Sequence, residues 1–255
     1  MEAAQHPSRP PSKRISVGAV ISEAFSIYSQ NLGALLGSAI LVFLVVGLIA
    51  GILEAAGGLI LILLAAAVRF AGQALYTGFV VKLVEDVRDG RRDHGVGDLF
   101  SAAGPFILPL IGFGILFGLG VGVGFFFLVI PGLILLTFWS VGAPAIVVEG
   151  IGPVDAFGRS WRLVRGNAWP VFGTLLVVLL ITIGVWIVLA AIATPIGNGD
   201  VATWIASVIS GTLTAPIFAL TVTVLYYELA DGIVGPGPGA TATEAPTPPP
   251  PPPAG

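Results

Sequence analysis

The chain of 255 residues contains no cysteine, which excludes both a disulfide framework and a thiol metal site. Charge is nearly as scarce. Asp, Glu, Lys and Arg together make up 10% of the residues, where a soluble domain carries about 25%. Residues 106–148 include no charged side chain at all. The two histidines, His6 and His94, both lie in polar stretches. Neither a zinc-binding spacing nor a phosphate loop is present, and the glycines of "GIGPVDAFG" follow no strand, so they do not form a dinucleotide fingerprint. With no nucleophile, base or metal ligand set to name, the sequence points away from an enzyme, and no catalytic residue, cofactor or metal is expected.

Apolar residues fill the space left by charge, at 56% of the chain. Runs of 18 or more recur, and a bilayer core about 30 Å thick takes ~20 helical residues to cross. The pattern predicts an all-α, polytopic membrane protein with six transmembrane helices, at 33–53, 59–81, 106–128, 132–148, 169–191 and 203–227. The third and fourth divide best at "VIPGL", with Pro131 at the first position of the new helix, where its missing N–H is not needed. Three domains follow: a polar tail over 1–15, a six-span membrane domain over 16–232 and a proline-rich tail over 233–255. The first tail lacks an apolar core, so no cleaved secretory signal is expected. In the last, Pro248 to Pro253 form an unbroken run suited to an extended polyproline spacer.

Cation placement gives an independent orientation. Arg9, Lys13 and Arg14 precede the first span; Lys82, Arg88, Arg91 and Arg92 follow the second; Arg159, Arg162 and Arg165 follow the fourth. The connections at 54–58, 129–131 and 192–202 contain no Lys or Arg. By the positive-inside rule both termini are cytoplasmic, and the expected location is a bacterial cytoplasmic membrane.

"GPVDAFGRSWRLVRGN" at 152–167 carries well-formed helix signals. Pro153 suits the first turn, Asp155 the positive dipole end, Arg165 the negative end and Gly166–Asn167 a C-cap. Val154, Phe157, Trp161 and Val164 form an apolar stripe, with Asp155, Arg159 and Arg162 opposite and an i,i+4 pair expected between Asp155 and Arg159. Such a helix suits a headgroup layer, which makes Arg159, Trp161, Arg162 and Arg165 candidate lipid contacts. The basic surface is too small for nucleic acid. A similar stripe occurs at Val17, Ile21, Ala24, Phe25 and Tyr28. The triplets "EAF" (23–25), "DLF" (98–100) and "DAF" (155–157), together with Glu85, Glu149 and Glu228 at the exits of alternate spans, suggest three repeats of amphipathic helix plus helical hairpin.

Arg69 is the one cation inside a span, near the bilayer centre, where it costs roughly 2.5–3.5 kcal/mol. Gln73, Tyr76 and Thr77 continue its face, and Glu54 is the nearest partner in sequence. The set Arg69, Gln73, Tyr76 and Glu54 is either a hydrated anion path or, the favoured reading, a structural ion pair or a snorkelling side chain. Small residues in "GALLG" (33–37) and "GLIAG" (47–51), and Gly114, Gly118 and Gly122, predict seams where helices approach closely.

The segment 142–173, with its apolar run, acidic exit and Ala-Phe-x-x-Ser-Trp-x-Leu-Val helix, resembles the bacterial glycerophosphoryl diester phosphodiesterase membrane-domain family. "LYYELADG" (225–232) and "AFSIYSQN" (24–31) are similar to that family's closing and opening elements. The resemblance spans 16–232 and implies a six-span domain that in some members accompanies a catalytic barrel. No barrel follows the sixth span here, and Ala230-Asp231-Gly232 stands where the family usually continues into arginines. The function expected is therefore a non-catalytic membrane protein that organises membrane lipids or membrane-protein partners, as a single chain or a homo-oligomer. The rival is a small transporter for an anionic or lipid solute, or an accessory subunit of a lipid enzyme.

Overall fold

Residues 15–90, 95–193 and 200–234 are described by the computed structural model. Within them the chain is all-α: α1 (Val17–Gln30), α2 (Leu32–Ala56), α3 (Leu59–Arg88), α4 (Val96–Ala103), α5 (Ile107–Phe127), α6 (Val129–Trp139), α7 (Gly142–Glu149), α8 (Pro153–Val164), α9 (Ala168–Ala193) and α10 (Asp200–Val234). A 3-10 turn, Gly104–Phe106, joins α4 to α5. Six segments are long and apolar enough to cross a membrane: Leu32–Ala56, Leu59–Arg88, Val96–Phe127, Val129–Glu149, Ala168–Leu189 and Gly211–Asp231. This is a multi-pass membrane protein. The proline run of the C-terminal tail lies outside the described residues.

The turns follow from backbone chemistry. Between α2 and α3 stand only Gly57 (φ 75°) and Gly58 (φ 92°), a left-handed pair that residues with a Cβ adopt only under strain. Between α5 and α6 the break falls at Leu128, one extended residue (φ −162°, ψ 144°), not at the Pro131 position expected. Pro131 is instead the third residue of α6. Its missing N–H is still harmless there, because first-turn N–H groups have no intrahelical partner. A second break, not expected from the run of apolar residues, splits the fourth span at Ser140–Val141. Pro144 has no N–H to offer the Ser140 carbonyl, so the ladder resumes only with Ala145 N–H to Val141 O at 3.3 Å.

Glycines mark the closest approaches, but in another register than expected. A methyl on Gly118 or Gly122 would meet nothing within 4 Å, and one on Gly114 would touch only Phe70 at 3.9 Å. On Gly124 it would fall 2.9 Å from the Gly132 Cα, on Gly120 2.5 Å from the Trp139 ring, and on Gly142 2.4 Å from Phe113. Glycines on α5 occupy two helical rows, and periodicity alone does not say which row faces α6.

A short helix followed by a hairpin occurs three times: α1 before α2–α3, α4 before α5–α6–α7, and α8 before α9–α10. Each short helix packs on the hairpin of the preceding unit. α4 lies on α3, α8 lies on α5, α6 and α7, and α1 closes the ring by lying on α9 and α10. Aromatic stacking fixes two of these joints. Phe100 stacks on Phe79 with centroids 4.5 Å apart, and Phe157 stacks on Phe113 at 4.6 Å. The core, with Tyr76, Phe79, Leu163 and Leu225 fully buried, runs through all three units.

Candidate functional site

Ring closure brings the ends of α3, α7 and α10 together with α1 and α8 at one end of the bundle. Glu149 is the last residue of α7, released by Gly150 in a left-handed turn (φ 66°). Three residues later Pro153 starts α8, and Arg159 lies nearly two turns along it. The Arg159 Nε–H points between both Glu149 oxygens, at 2.7 and 2.9 Å, and the Tyr226 hydroxyl of α10 donates to Glu149 Oε1 at 2.6 Å. Glu149 and Arg159 are each about one-quarter exposed. An ion pair so shielded is stronger than one in open water. This explains why Arg159 takes Glu149 in place of the exposed Asp155 expected from i,i+4 spacing.

A second arginine cluster stands beside the first. Arg88, at the end of α3, meets Glu23 of α1 (3.5 Å) and Asp231 of α10 (3.2 Å) and covers the Tyr227 ring at 4.5 Å. Tyr226 and Tyr227 are in edge-to-face contact at 5.3 Å, so the two clusters adjoin. Nearby, Lys82 pairs with Glu85 at 2.7 Å and lies 5.4 Å from the centre of the Phe106 ring. In α1 burial pushes the Tyr28 phenol above its ordinary pKa, which keeps it neutral. Every cation in these clusters is matched by a carboxylate.

Arg162 and Arg165 differ. Both are exposed, and neither forms an ion pair with a described carboxylate. Trp161 is 40% exposed although one face stacks on Phe138 at 4.1 Å, and Trp169 is 83% exposed. The stripe expected to turn outward is largely consumed inside the protein. Ala156, Ser160, Leu163 and Val164 are buried, Phe157 packs against Phe113 and Trp139, and the Ser160 hydroxyl donates to the Phe138 carbonyl at 2.8 Å. Only Val154 of the stripe is fully turned out. α1 behaves alike, burying Val20, Ala24 and Ile27 and leaving Phe25 exposed. Each protein-facing side thus mixes small residues, Ala24 on α1 and Ala156 and Ser160 on α8, with larger aliphatic ones. Of the four candidate headgroup contacts, Arg162, Arg165 and Trp161 remain available, while Arg159 is bound to Glu149.

The intramembrane set divides in two. Arg69 grips Glu54 through both terminal nitrogens, Nη2 to Oε2 at 2.9 Å and Nη1 to Oε1, and both side chains are exposed, at 51% and 38%. Gln73 is exposed on the same face of α3. Tyr76 points the other way: it is fully buried, and its hydroxyl donates to the Leu35 carbonyl of α2 at 3.1 Å. Thr77 bonds back to the Gln73 carbonyl at 2.8 Å, as intrahelical threonines do. Arg69 therefore lies on the outer face of the α2–α3 hairpin rather than in a recess. A shallow recess lined by Ala24, Phe25, Tyr28 and Ile217 is elsewhere. No group of three metal-ligating side chains occurs among the described residues.

Sequence reasoning missed Arg88, Glu23, Asp231 and Tyr227 as a cluster, and Tyr226 as the third member of the Glu149 site. Their partners are up to 143 positions apart. The signals present were the repeated acidic exit at Glu149, the "EAF" triplet holding Glu23 and the "LYYELADG" element holding Tyr226, Tyr227 and Asp231, none of which says which residues meet.

A family model described as a domain of unknown function (DUF7847) matches residues 95–230. That is more than half of the chain, and the chain belongs to this family. The match runs from just before α4 into α10 and takes in the Glu149–Arg159–Tyr226 site, whereas Arg69, Glu54 and Gln73 precede it. Neither a curated protein nor a solved structure matches the chain.

Proposed function

We propose that this member of the DUF7847 family is a non-catalytic integral membrane protein that organises lipids or partner proteins in a bacterial cytoplasmic membrane, with both termini on the cytoplasmic side. The observation that carries the reading is the division of labour among the α8 arginines. Arg159 is neutralised within the fold, while Arg162 and Arg165 stand free beside two exposed tryptophans. A fixed helix with free guanidinium groups and indole rings at its edge fits an anionic headgroup layer, at about 1 kcal/mol per arginine. The position of Arg69 supports a structural ion pair over a solute path, since the pair faces outward.

The test is lipid retention. Full-length chain purified in mild detergent from membranes containing phosphatidylglycerol is expected to carry anionic lipid in excess of the bulk ratio. The double variant Arg162→Ala/Arg165→Ala is expected to lose most of that excess while its melting temperature stays within about 2 °C, because neither side chain bonds the fold. Equal retention by both proteins would remove the headgroup role. Solute flux by the wild-type chain in sealed vesicles would favour transport instead.

A further inference from the structure

Gln73 presents a problem that Arg69 does not. Arg69 has a long side chain that reaches Glu54 near the hairpin turn, as snorkelling side chains do. Gln73 is short. It lies fourteen residues beyond Leu59, about 21 Å along the helix, and nine residues before Lys82, about 14 Å from the next charge. With a hydrocarbon core of about 30 Å, neither interface is within its reach. Its side chain is exposed on α3, and its amide has no hydrogen-bond partner among the described residues. An amide unpaired in hydrocarbon is strongly unfavourable, and the usual remedy in a membrane is a hydrogen bond to another helix.

The surroundings of Gln73 narrow the choice of helix. One turn and two turns back toward the hairpin tip are Arg69 and Ala66, with Ile62 beyond; all are exposed. Ala66 leaves room for a second backbone to come close. The Arg69–Glu54 pair gives the patch no net charge, so it neither attracts a charged partner nor repels its own likeness. We infer that this face of the α2–α3 hairpin is covered by the same face of a second copy of the chain, related by a two-fold axis along the membrane normal. An amide holds both a donor and an acceptor, so two Gln73 side chains meeting at that axis satisfy one another. The same rotation sets the arginine of each copy beside the glutamate of the other, giving an alternating ring of four charges. This is the self-complementarity that an isologous interface requires.

The absence of native cysteine makes the test clean. In membranes containing the full chain, Ala66→Cys is expected to oxidise to a species of twice the monomer mass. Leu119→Cys, exposed on α5 and not part of the α2–α3 hairpin, is expected to stay monomeric. Adding Gln73→Leu to the Ala66→Cys chain should cut the cross-linked fraction, and step-counting of fluorescent chains in liposomes should show dimerisation weakened about 3- to 15-fold. Gln73→Asn, which keeps an amide, should retain most of it. The melting curve of the monomer should not move with Gln73→Leu, which separates lost association from lost folding. The inference is overturned if Ala66→Cys stays monomeric, if it cross-links to a protein of another mass, or if Gln73→Leu dimerises like the wild type.

Discussion

At one end of the bundle, side chains from five helices meet in two arginine-centred clusters; at the other, the two described turns consist of Gly57–Gly58 and of Leu128 between Phe127 and Val129, with no charged residue in either. The first end is held by directional bonds between residues far apart in sequence. The second is held by backbone geometry, by the Arg69–Glu54 pair within one hairpin and by side chains suited to lipid, with Phe126, Phe127 and Ile130 mostly exposed. The difference teaches where specificity resides. Hydrocarbon gives no preference for one apolar helix pair over another, so a three-unit bundle needs close packing and polar bonds to fix which hairpin lies beside which.

Overpacking should break this arrangement most. Gly142→Val would drive its side chain into the Phe113 ring and disturb the α5–α7–α8 joint, lowering stability by about 1–3 kcal/mol or more in a detergent melt. Gly118→Ala and Gly122→Ala meet open space and replace a poor helix former, so they should be neutral or stabilise by up to about 1 kcal/mol. A reversal of that order would mean that α5 faces α6 in the other register.

The polar end comes next. Arg159→Ala leaves the Glu149 carboxylate, one-quarter exposed, with Tyr226 alone, and should destabilise by about 1–3 kcal/mol. Tyr226→Phe removes one hydrogen bond to a charged acceptor and should lose about 1.5 kcal/mol. If the two lesions act through the same carboxylate, the double variant will fall short of their sum. Additive losses would show two independent contacts. Arg88→Ala is expected to have the smallest effect of these, about 1 kcal/mol, since Asp231 is largely exposed and such pairs are worth little singly.

Much of the fold was legible because the membrane constrains it: span length and charge-free runs gave the number and order of the six crossings, although the second span continues to Arg88, the third is led in from Val96 and the sixth qualifies only from Gly211. The repeat order was legible from the acid-x-Phe triplets, yet their carboxylates do unlike things. Glu23 meets Arg88, Asp98 accepts the Gly95 N–H at 3.0 Å, and Asp155 stays exposed at its helix start. What repeats is helix initiation, not a bond. The candidate site was half legible. Arg69 with Glu54 followed from charge scarcity, because a lone intramembrane cation has few partners to choose from. Arg159 did not: the nearer Asp155 fitted the spacing, and only the folded chain shows that Glu149 and Tyr226 form a more shielded seat. Likewise the expected stripes of α1 and α8 overlap the packed faces only in part: Ala24, Phe157 and Val164 turn inward, but so do Val20, Ile27, Ala156, Ser160 and Leu163, which the stripes left out.

The contrast between the two ends is most directly tested by single-cysteine labelling of intact cells with a membrane-impermeant maleimide. Asp155→Cys at the arginine-rich end should label only after the cells are opened, and Ala56→Cys beside the glycine turn should label from outside. Labelling of Asp155→Cys in sealed cells would invert the orientation and detach Arg162 and Arg165 from the cytoplasmic leaflet.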